Sequence, residues 1–367
     1  MRACIVGGGL AGSLLAWRLA QATTGWRIDL LLGDRPRAGA AADATAASGG
    51  AVRAYEPEPE QRRLATDSMV ELLASRTLRG WAEYRIARTV YLRRTTDGLA
   101  AAVADIELML PGWVEIVPAT ELERDGWAGL HADGAAVLEP RAGYTSPDRL
   151  RDAVLADGPV RRRVTVHQTA VGAITPRDDG GVACDGREYD VVVVAAGAWT
   201  AALLRASGLP ADGYRTKSIQ YTVYQTGAWR PPQFVDGVTG LYGRPAGDGT
   251  LLLGLPTEHW DVDPDRPPVT VGLHDEAARL ASVRFPKLRI GQPVRRVGSA
   301  DCYADQPILS LRPVSNTGGD HRLFTFSGGA GGSVKTALAA SQRAAIQLVA
   351  SSYSTELTSV GRRKGQP

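Results

Sequence analysis

Cysteine is scarce in this chain. Cys4, Cys184 and Cys302 stand far apart, so they make neither a metal-binding spacing nor a disulfide framework, which is the usage of a reducing cytoplasm. Long apolar runs are also missing, since no stretch approaches the roughly 20 residues that a membrane-spanning helix needs. The reading is a cytoplasmic chain without membrane contact. An excess of one charge is absent too, at a net +3 over 367 residues. Arg161-Arg162-Arg163 and Arg362-Arg363-Lys364 are short runs that read as solvated faces, so no nucleic-acid partner is expected. The five histidines, at 131, 167, 259, 274 and 321, show no HxxxH-type pairing, so no metal is expected. What remains is an ordinary soluble composition, 44% apolar and 22% charged, in a chain long enough for two domains.

The chain is organised around its first thirty-four residues. An apolar run, Ala3-Cys4-Ile5-Val6, leads directly into Gly7-Gly8-Gly9-Leu10-Ala11-Gly12, then into the helix-forming Ser13 to Ala20. A second apolar run, Ile28 to Leu32, ends beside Asp34. Strand, glycine turn, helix, strand and acid is the arrangement of a dinucleotide site. Gly7 permits the tight turn, Gly9 lets backbone approach a pyrophosphate, and Gly12 lets the helix lie close on the strand. The helix N-terminus, at Leu10 and Ala11, directs its N–H groups at the phosphates. Asp34 is placed to hold a ribose hydroxyl. A secretory signal is excluded because the glycine triplet breaks the apolar core that a signal requires.

Further along, Ala38 to Gly50 is rich in small residues, which permit backbone approach to a planar ligand. Glu56-Pro57-Glu58-Pro59-Glu60 reads as a helix start. Residues from about 81 to 140 change character, with a strand at Thr89 to Leu92 and a helix at Ala101 to Leu110. Gly143-Tyr144 precedes a helix from Asp148 to Leu155, with Ser146 as cap and Pro147 at its first position. Val164 to Val166 and Ala170 to Ile174 read as a pair of strands. The unbroken run Val191 to Val194, continuing to Trp199, reads as a parallel strand buried on both faces that ends in a ligand-facing turn. Ser218 to Tyr224 alternates and reads as a strand with one exposed face. Residues 240–245 and 250–255 flank Ala246 to Gly249 as a hairpin. Near the end, Arg322 to Phe326 is a strand leading into Ser327-Gly328-Gly329-Ala330-Gly331-Gly332 and a helix from Ser333 to about Ala350. This is a second helix N-terminus aimed at a ligand. Residues 351–367 are polar and read as a disordered tail.

Together these stretches resemble the FAD-dependent D-amino-acid oxidase superfamily, and within it the monomeric sarcosine oxidase and glycine oxidase branch. The residues that carry the resemblance are Gly7 to Gly12, the segment ending Ser48-Gly49-Gly50, Gly143-Tyr144, Val191 to Trp199, and Ser327 to Lys335. They lie in the family's order over nearly the whole chain. The resemblance implies an α/β fold, with an FAD-binding, Rossmann-like, doubly wound domain of the glutathione-reductase type. A smaller domain built on a mixed or antiparallel sheet would cover the flavin and face the substrate. The FAD domain would be discontinuous, from 1–80, 141–208 and 297–350, and the substrate domain would come from 81–140 and 209–296.

The resemblance also assigns roles. FAD would be held by Gly7, Gly9, Leu10, Ala11, Gly12, Asp34, Ser48, Gly49, Gly50, Val171, Ala196, Gly197 and Trp199 on one side. Gly328, Gly329, Ala330, Gly331, Gly332 and Lys335 would hold it on the other. Lys335 would place a positive charge beside the flavin pyrimidine, in a chain where lysine is scarce beside arginine. The helix dipole disfavours a cation in a first turn, so Lys335 calls for a special partner. Arg53 would bind a substrate carboxylate with Lys335, its planar fork suiting that group; the alternative is a surface arginine. Tyr242 falls in the region of an active-site tyrosine. In covalent members a cysteine in the segment of Cys302 is bonded to the flavin 8α carbon; the alternative here is a plain buried thiol. Leu252 stands where the branch has a lysine that promotes reaction with oxygen, and a histidine expected just after it is replaced near Pro256.

The implied activity is oxidation of the C–N bond of a small amine or amino acid to an imine, by hydride transfer to flavin N5. Oxygen or another electron acceptor would take the electrons. A flavin monooxygenase and a flavin-binding protein without turnover are alternatives. The amine and the oligomeric state are not legible.

Overall fold

The computed structural model describes residues 1–33, 43–314 and 322–363, with side chains to residue 351. Asp34 lies outside the described residues. Strand β1 (Arg2–Val6), helix α1 (Leu10–Ala22) and strand β2 (Arg27–Leu31) form the unit read from the N-terminal sequence. They belong to a six-stranded sheet with β9 (Val164–His167), β13 (Val191–Val194), β19 (Ser310–Pro313) and β20 (Leu323–Ser327), ordered β19-β20-β13-β1-β2-β9. All neighbours are parallel except the antiparallel edge strand β19. The four valines of β13 are buried between β1 and β20, as expected of an all-apolar strand covered on both faces. Leu14, Leu15 and Leu19 carry the apolar face of α1 into the main core, each contributing about 1.5–3 kcal/mol by burial. The long last helix, Ser333–Arg363, packs on α1 and on helix Pro59–Ala74.

A second sheet has eight strands. These are β5 (Thr89–Arg93), β6 (Glu115–Pro118), β7 (Ala135–Glu139), β14 (Tyr214–Thr226), β15 (Gln233–Asp236), β16 (Tyr242–Gly247), β17 (Thr250–Gly254) and β18 (Ile290–Ala304). Their order is β18-β14-β17-β16-β15-β5-β7-β6, antiparallel throughout except where β15 meets β5. Two small sheets complete the set. One joins β3 (Ala51–Val52), β8 (Gly143–Tyr144) and β4 (Arg85–Ile86); the other joins β10 (Ile174–Pro176), β11 (Val182–Cys184) and β12 (Arg187–Tyr189). The fold is thus mixed α/β, a Rossmann-like parallel sheet with a mainly antiparallel sheet beside it.

Four local readings are corrected. Val164 to Val166 does not pair with the stretch after it: β9 joins β2, and the carbonyls of His167 and Thr169 accept from Leu32 and Gly33 at the end of that strand. The stretch after it reaches strand only at Ile174, which pairs with Cys184. Strand β14 has no exposed face at its centre, because Gln220 to Tyr224 are all buried. Tyr221 and Val223 pack with Leu252, while Thr222 and Tyr224 bond to His274 of helix Val271–Arg284 on the other side. Strand β18 runs unbroken through residue 297, the expected start of the last FAD-domain segment, because it stays paired with β14 as far as Ala304. The last helix passes Ala350 and continues to Arg363, where the sequence reads as a disordered tail; between Ser333 and Val360 it contains neither glycine nor proline to stop it. Among the described residues no helix is long and apolar enough to cross a membrane.

Candidate functional site

A cavity of about 1770 Å³ opens between the ends of the parallel strands and the second sheet. One wall is made of Gly7 to Ala11, Ser48 to Gly50, Val171, Ala196, Gly197 and Trp199, and Gly328 to Lys335. The other is made of β14, β16, β17 and β18. The topology brings the separate glycine segments to one edge, because β1, β13 and β20 are adjacent and parallel and each ends in such a turn.

The first turn is held by backbone geometry that only glycine meets. Gly7 has φ +119°, and a side chain there would run into the backbone of Ala195. A Cβ on Gly12 would strike the carbonyl oxygen of Gly7, so its absence lets α1 lie against β1. At Gly9 the nearest atom to such a Cβ is Thr45 Oγ1, at 3.3 Å, and the space is otherwise open. No side chain caps α1 at Gly9; the Leu10 N–H donates to Thr45 Oγ1 at 2.9 Å. Gly12 itself supports the turn from beneath and does not line the cavity. Ser48 Oγ accepts from the Gly50 N–H at 3.0 Å, and the Trp199 indole donates to Asp265 at 3.0 Å.

The two cations singled out from the sequence meet. Arg53 and Lys335 both line the cavity, and both are buried. Arg53 is therefore not a surface arginine. Its guanidinium lies 2.5 Å from Oε1 of Glu56, and Lys335 Nζ lies 3.0 Å from the same oxygen. Glu56 is absent from the cavity wall and stands behind them. Burial alone would raise the Glu56 carboxyl, but Arg53 and Lys335 outweigh it and hold the group below its usual range. Burial pulls the Lys335 ammonium down, Glu56 opposes that, and Arg53 adds to it. Glu56 is the special partner that a lysine in a first turn requires. The turn carrying Arg53 is pinned by buried Glu139 of β7, which accepts from the Ala54 and Tyr55 N–H groups and from the Trp113 indole.

Opposite them, Tyr242 donates to the Gln220 carbonyl at 3.1 Å, and burial raises its phenol well above the usual value. Leu252 is buried against Tyr221 and Val223 and sits 3.6 Å from where a Gly49 side chain would begin. Pro256 lines the same wall. Arg244 ties this wall to the small-residue segment, its Nε donating to the Gly49 carbonyl at 2.5 Å with its guanidinium 4.3 Å over Tyr144. Cys302 is 8% exposed, packed among Val194, Ala201, Leu204 and Tyr214, and burial pushes its thiol up to about 12. Asp301 of β18 also lines this wall. Four residues in this arrangement escape sequence reasoning: Glu56, Glu139, Arg244 and Asp301. Glu56 reads as a helix-start acid, and no local pattern marks the others.

The sequence profile described as "DAO: FAD dependent oxidoreductase" matches residues 2–345. The chain belongs to the DAO family of FAD-dependent oxidoreductases. No curated protein sequence matches it. Among solved structures, it is similar to glycine oxidase from Geobacillus kaustophilus, with TM-score 0.69, 20% identity, and 93% of this chain and 92% of the other covered. L-proline dehydrogenase from P. horikoshii superposes with TM-score 0.72 at 16% identity, over 94% and 92% of the chains. L-alpha-glycerophosphate oxidase from Mycoplasma pneumoniae superposes with TM-score 0.74 at 16%, over 95% and 94%. Membership makes FAD the cofactor of this DAO-family enzyme. The site fits it: the open space over Gly9 admits a pyrophosphate, two helix N-termini face one cavity, and both glycine turns line that cavity.

Proposed function

We propose that this DAO-family enzyme oxidises the C–N bond of a small, carboxylate-bearing amine or amino acid to an imine. The observation that carries the reading is the pairing of Arg53 and Lys335 in the cavity wall with Glu56 behind them. Two cations against one anion leave a net positive charge facing inward, suited to a carboxylate. Glycine oxidase and L-proline dehydrogenase, similar in fold, are named for amino acids, which supports the same substrate class.

FAD, when bound, supplies the hydride acceptor. The protein's share is orientation and charge. Gly7 to Ala11, Ser48 to Gly50, Val171, Ala196, Gly197 and Trp199 hold the cofactor on one side, and Gly328 to Lys335 on the other. Arg53 fixes the substrate carboxylate, Lys335 adds positive charge at the end of its glycine loop, and Tyr242 with Leu252 shapes the opposite wall and excludes water. Anaerobic mixing of the FAD-loaded protein with glycine, sarcosine, L-proline and D-alanine tests this. Bleaching of the flavin bands by at least one supports the reading, and no bleaching by any small amine or amino acid overturns it.

A second reading of the electron acceptor has its own observation. Apolar Leu252 stands where an oxygen-promoting lysine stands in the sarcosine oxidase branch, and it is 2% exposed. This favours a dehydrogenase that passes electrons to an acceptor other than oxygen. Reoxidation of the reduced protein by air, timed against an artificial dye, separates the two.

A further inference from the structure

Five acids line the cavity: Asp43, Asp152, Asp263, Asp265 and Asp301. Four of them are engaged. Asp43 accepts from the Ala46 N–H, Asp152 pairs with Arg151, Asp263 accepts from the Asp265 N–H, and Asp265 accepts from Trp199. The Asp301 carboxylate has neither hydrogen bond nor ion pair among the described residues, although its backbone is paired with Lys217 of β14. Its carboxylate points toward the second glycine loop, where a Cβ on Gly331 would lie 3.4 Å from Oδ2 and 3.7 Å from the Tyr303 hydroxyl.

We infer that Asp301 is the group that receives the substrate nitrogen: it binds the ammonium as its charge partner and takes one N–H proton, leaving the amine neutral. The inference rests on the amine reading above and adds to it the residue that recognises and deprotonates the amine. The transfer balances, since R₂NH₂⁺ and the carboxylate become R₂NH and the carboxylic acid. An amine must be neutral to release a hydride from its α-carbon, because the nitrogen lone pair stabilises the cation left behind.

The surroundings suit this task. The titratable groups close enough to sense the Asp301 charge are Tyr242 from β16 and Cys302 and Tyr303 from its own strand, with Cys302 turned to the other face, and Lys217 is its register partner on β14. Lys217 does not form an ion pair with it: that ammonium lies 4.6 Å over the Trp260 ring, 6.0 Å over the Tyr303 ring and 3.9 Å from Glu258. Residues 328–332 of the loop bring no titratable side chain, and Lys335 is committed to Glu56. Phenol rings around one unpaired carboxylate make a chamber for a cation. Burial raises the Asp301 carboxyl to about 7, so it changes charge where an amine must lose its proton.

The test uses two probes of the same shape. Betaine carries a permanent positive nitrogen beside its carboxylate; 3,3-dimethylbutyrate has carbon in that place. Binding to the FAD-loaded protein is followed by calorimetry and by perturbation of the flavin bands. The wild type should prefer betaine by about tenfold or more at about pH 8. That preference should fall toward about pH 6, because protonation of Asp301 competes with the cation. Asp301→Asn should show no preference at any pH, and Asp301→Glu should keep it. Retention of the preference in Asp301→Asn would overturn the inference. So would a pH-independent preference or no betaine binding in the wild type, two results that need no variant. Failure here leaves amine-dependent flavin bleaching untouched, so the two readings fall separately.

Discussion

Lys335 Nζ stands 3.0 Å from Oε1 of Glu56, joining the first turn of the last helix to the loop that carries Arg53. All three side chains are less than a tenth exposed. A buried cluster of this kind is costly to break from one side, since the remaining charges lose their partner. Glu56→Gln should therefore lower stability by about 3 kcal/mol, read from the denaturant midpoint. The pH dependence has a defined sign. The folded-state carboxyl of Glu56 is held low, so its contribution is present above the unfolded value and is lost as pH falls through the folded one. The wild type should lose stability in acid more steeply than the variant.

Lys335→Met keeps an unbranched side chain of nearly the same length and removes its charge, while Arg53 still pairs with Glu56. We expect the FAD-loaded variant to fold and to be reduced by an amino acid about 100-fold more slowly than the wild type. Stopped-flow absorbance in the absence of air measures this. A rate within twofold would remove Lys335 from the chemistry.

The glycine turn separates folding from cofactor binding. Gly12→Ala places a methyl group against the Gly7 carbonyl, so loss of stability and of FAD together is expected. Gly9→Ala meets only the movable Thr45 hydroxyl, at 3.3 Å. That variant should unfold near the wild-type midpoint, within about 1 kcal/mol, yet retain less FAD after gel filtration. Full FAD occupancy in Gly9→Ala would show that the pyrophosphate does not pass over this residue.

A thiol pushed up to about 12 by burial is a weak nucleophile. Cys302 also packs into an apolar cluster with Tyr214 and Val194. Acid precipitation should accordingly leave the yellow colour in the supernatant, and Cys302→Ala should retain FAD. Colour that stays with the precipitated chain of the wild type, and not with that of Cys302→Ala, would establish a covalent bond at this sulfur.

How much was legible in the sequence depended on the range of the interaction. The unit from β1 to β2, the buried strand β13, the hairpin of β16 and β17, and the two glycine loops all follow from spacing and composition within about thirty residues. In each, the local conformational demand coincides with what the fold uses. Gly7, Gly9, Gly12 and Gly328 to Gly332 could be picked out for the same reason. The pairing of β9 with β2, the burial of both faces of β14, and the reach of β18 past residue 297 depend on which segments come to lie beside them. No local periodicity carries that. The site divides in the same way. Sequence alone determined that two glycine turns, Arg53 and Lys335 were present and chemically suited to a flavin and a carboxylate. Only the tertiary structure decided that Glu56 sits between the two cations, that Glu139 pins the Arg53 turn, and that the Asp301 carboxylate faces the cavity with no partner among the described residues. Burial and pairing set the charge state of each, and both are properties of residues far apart in the chain.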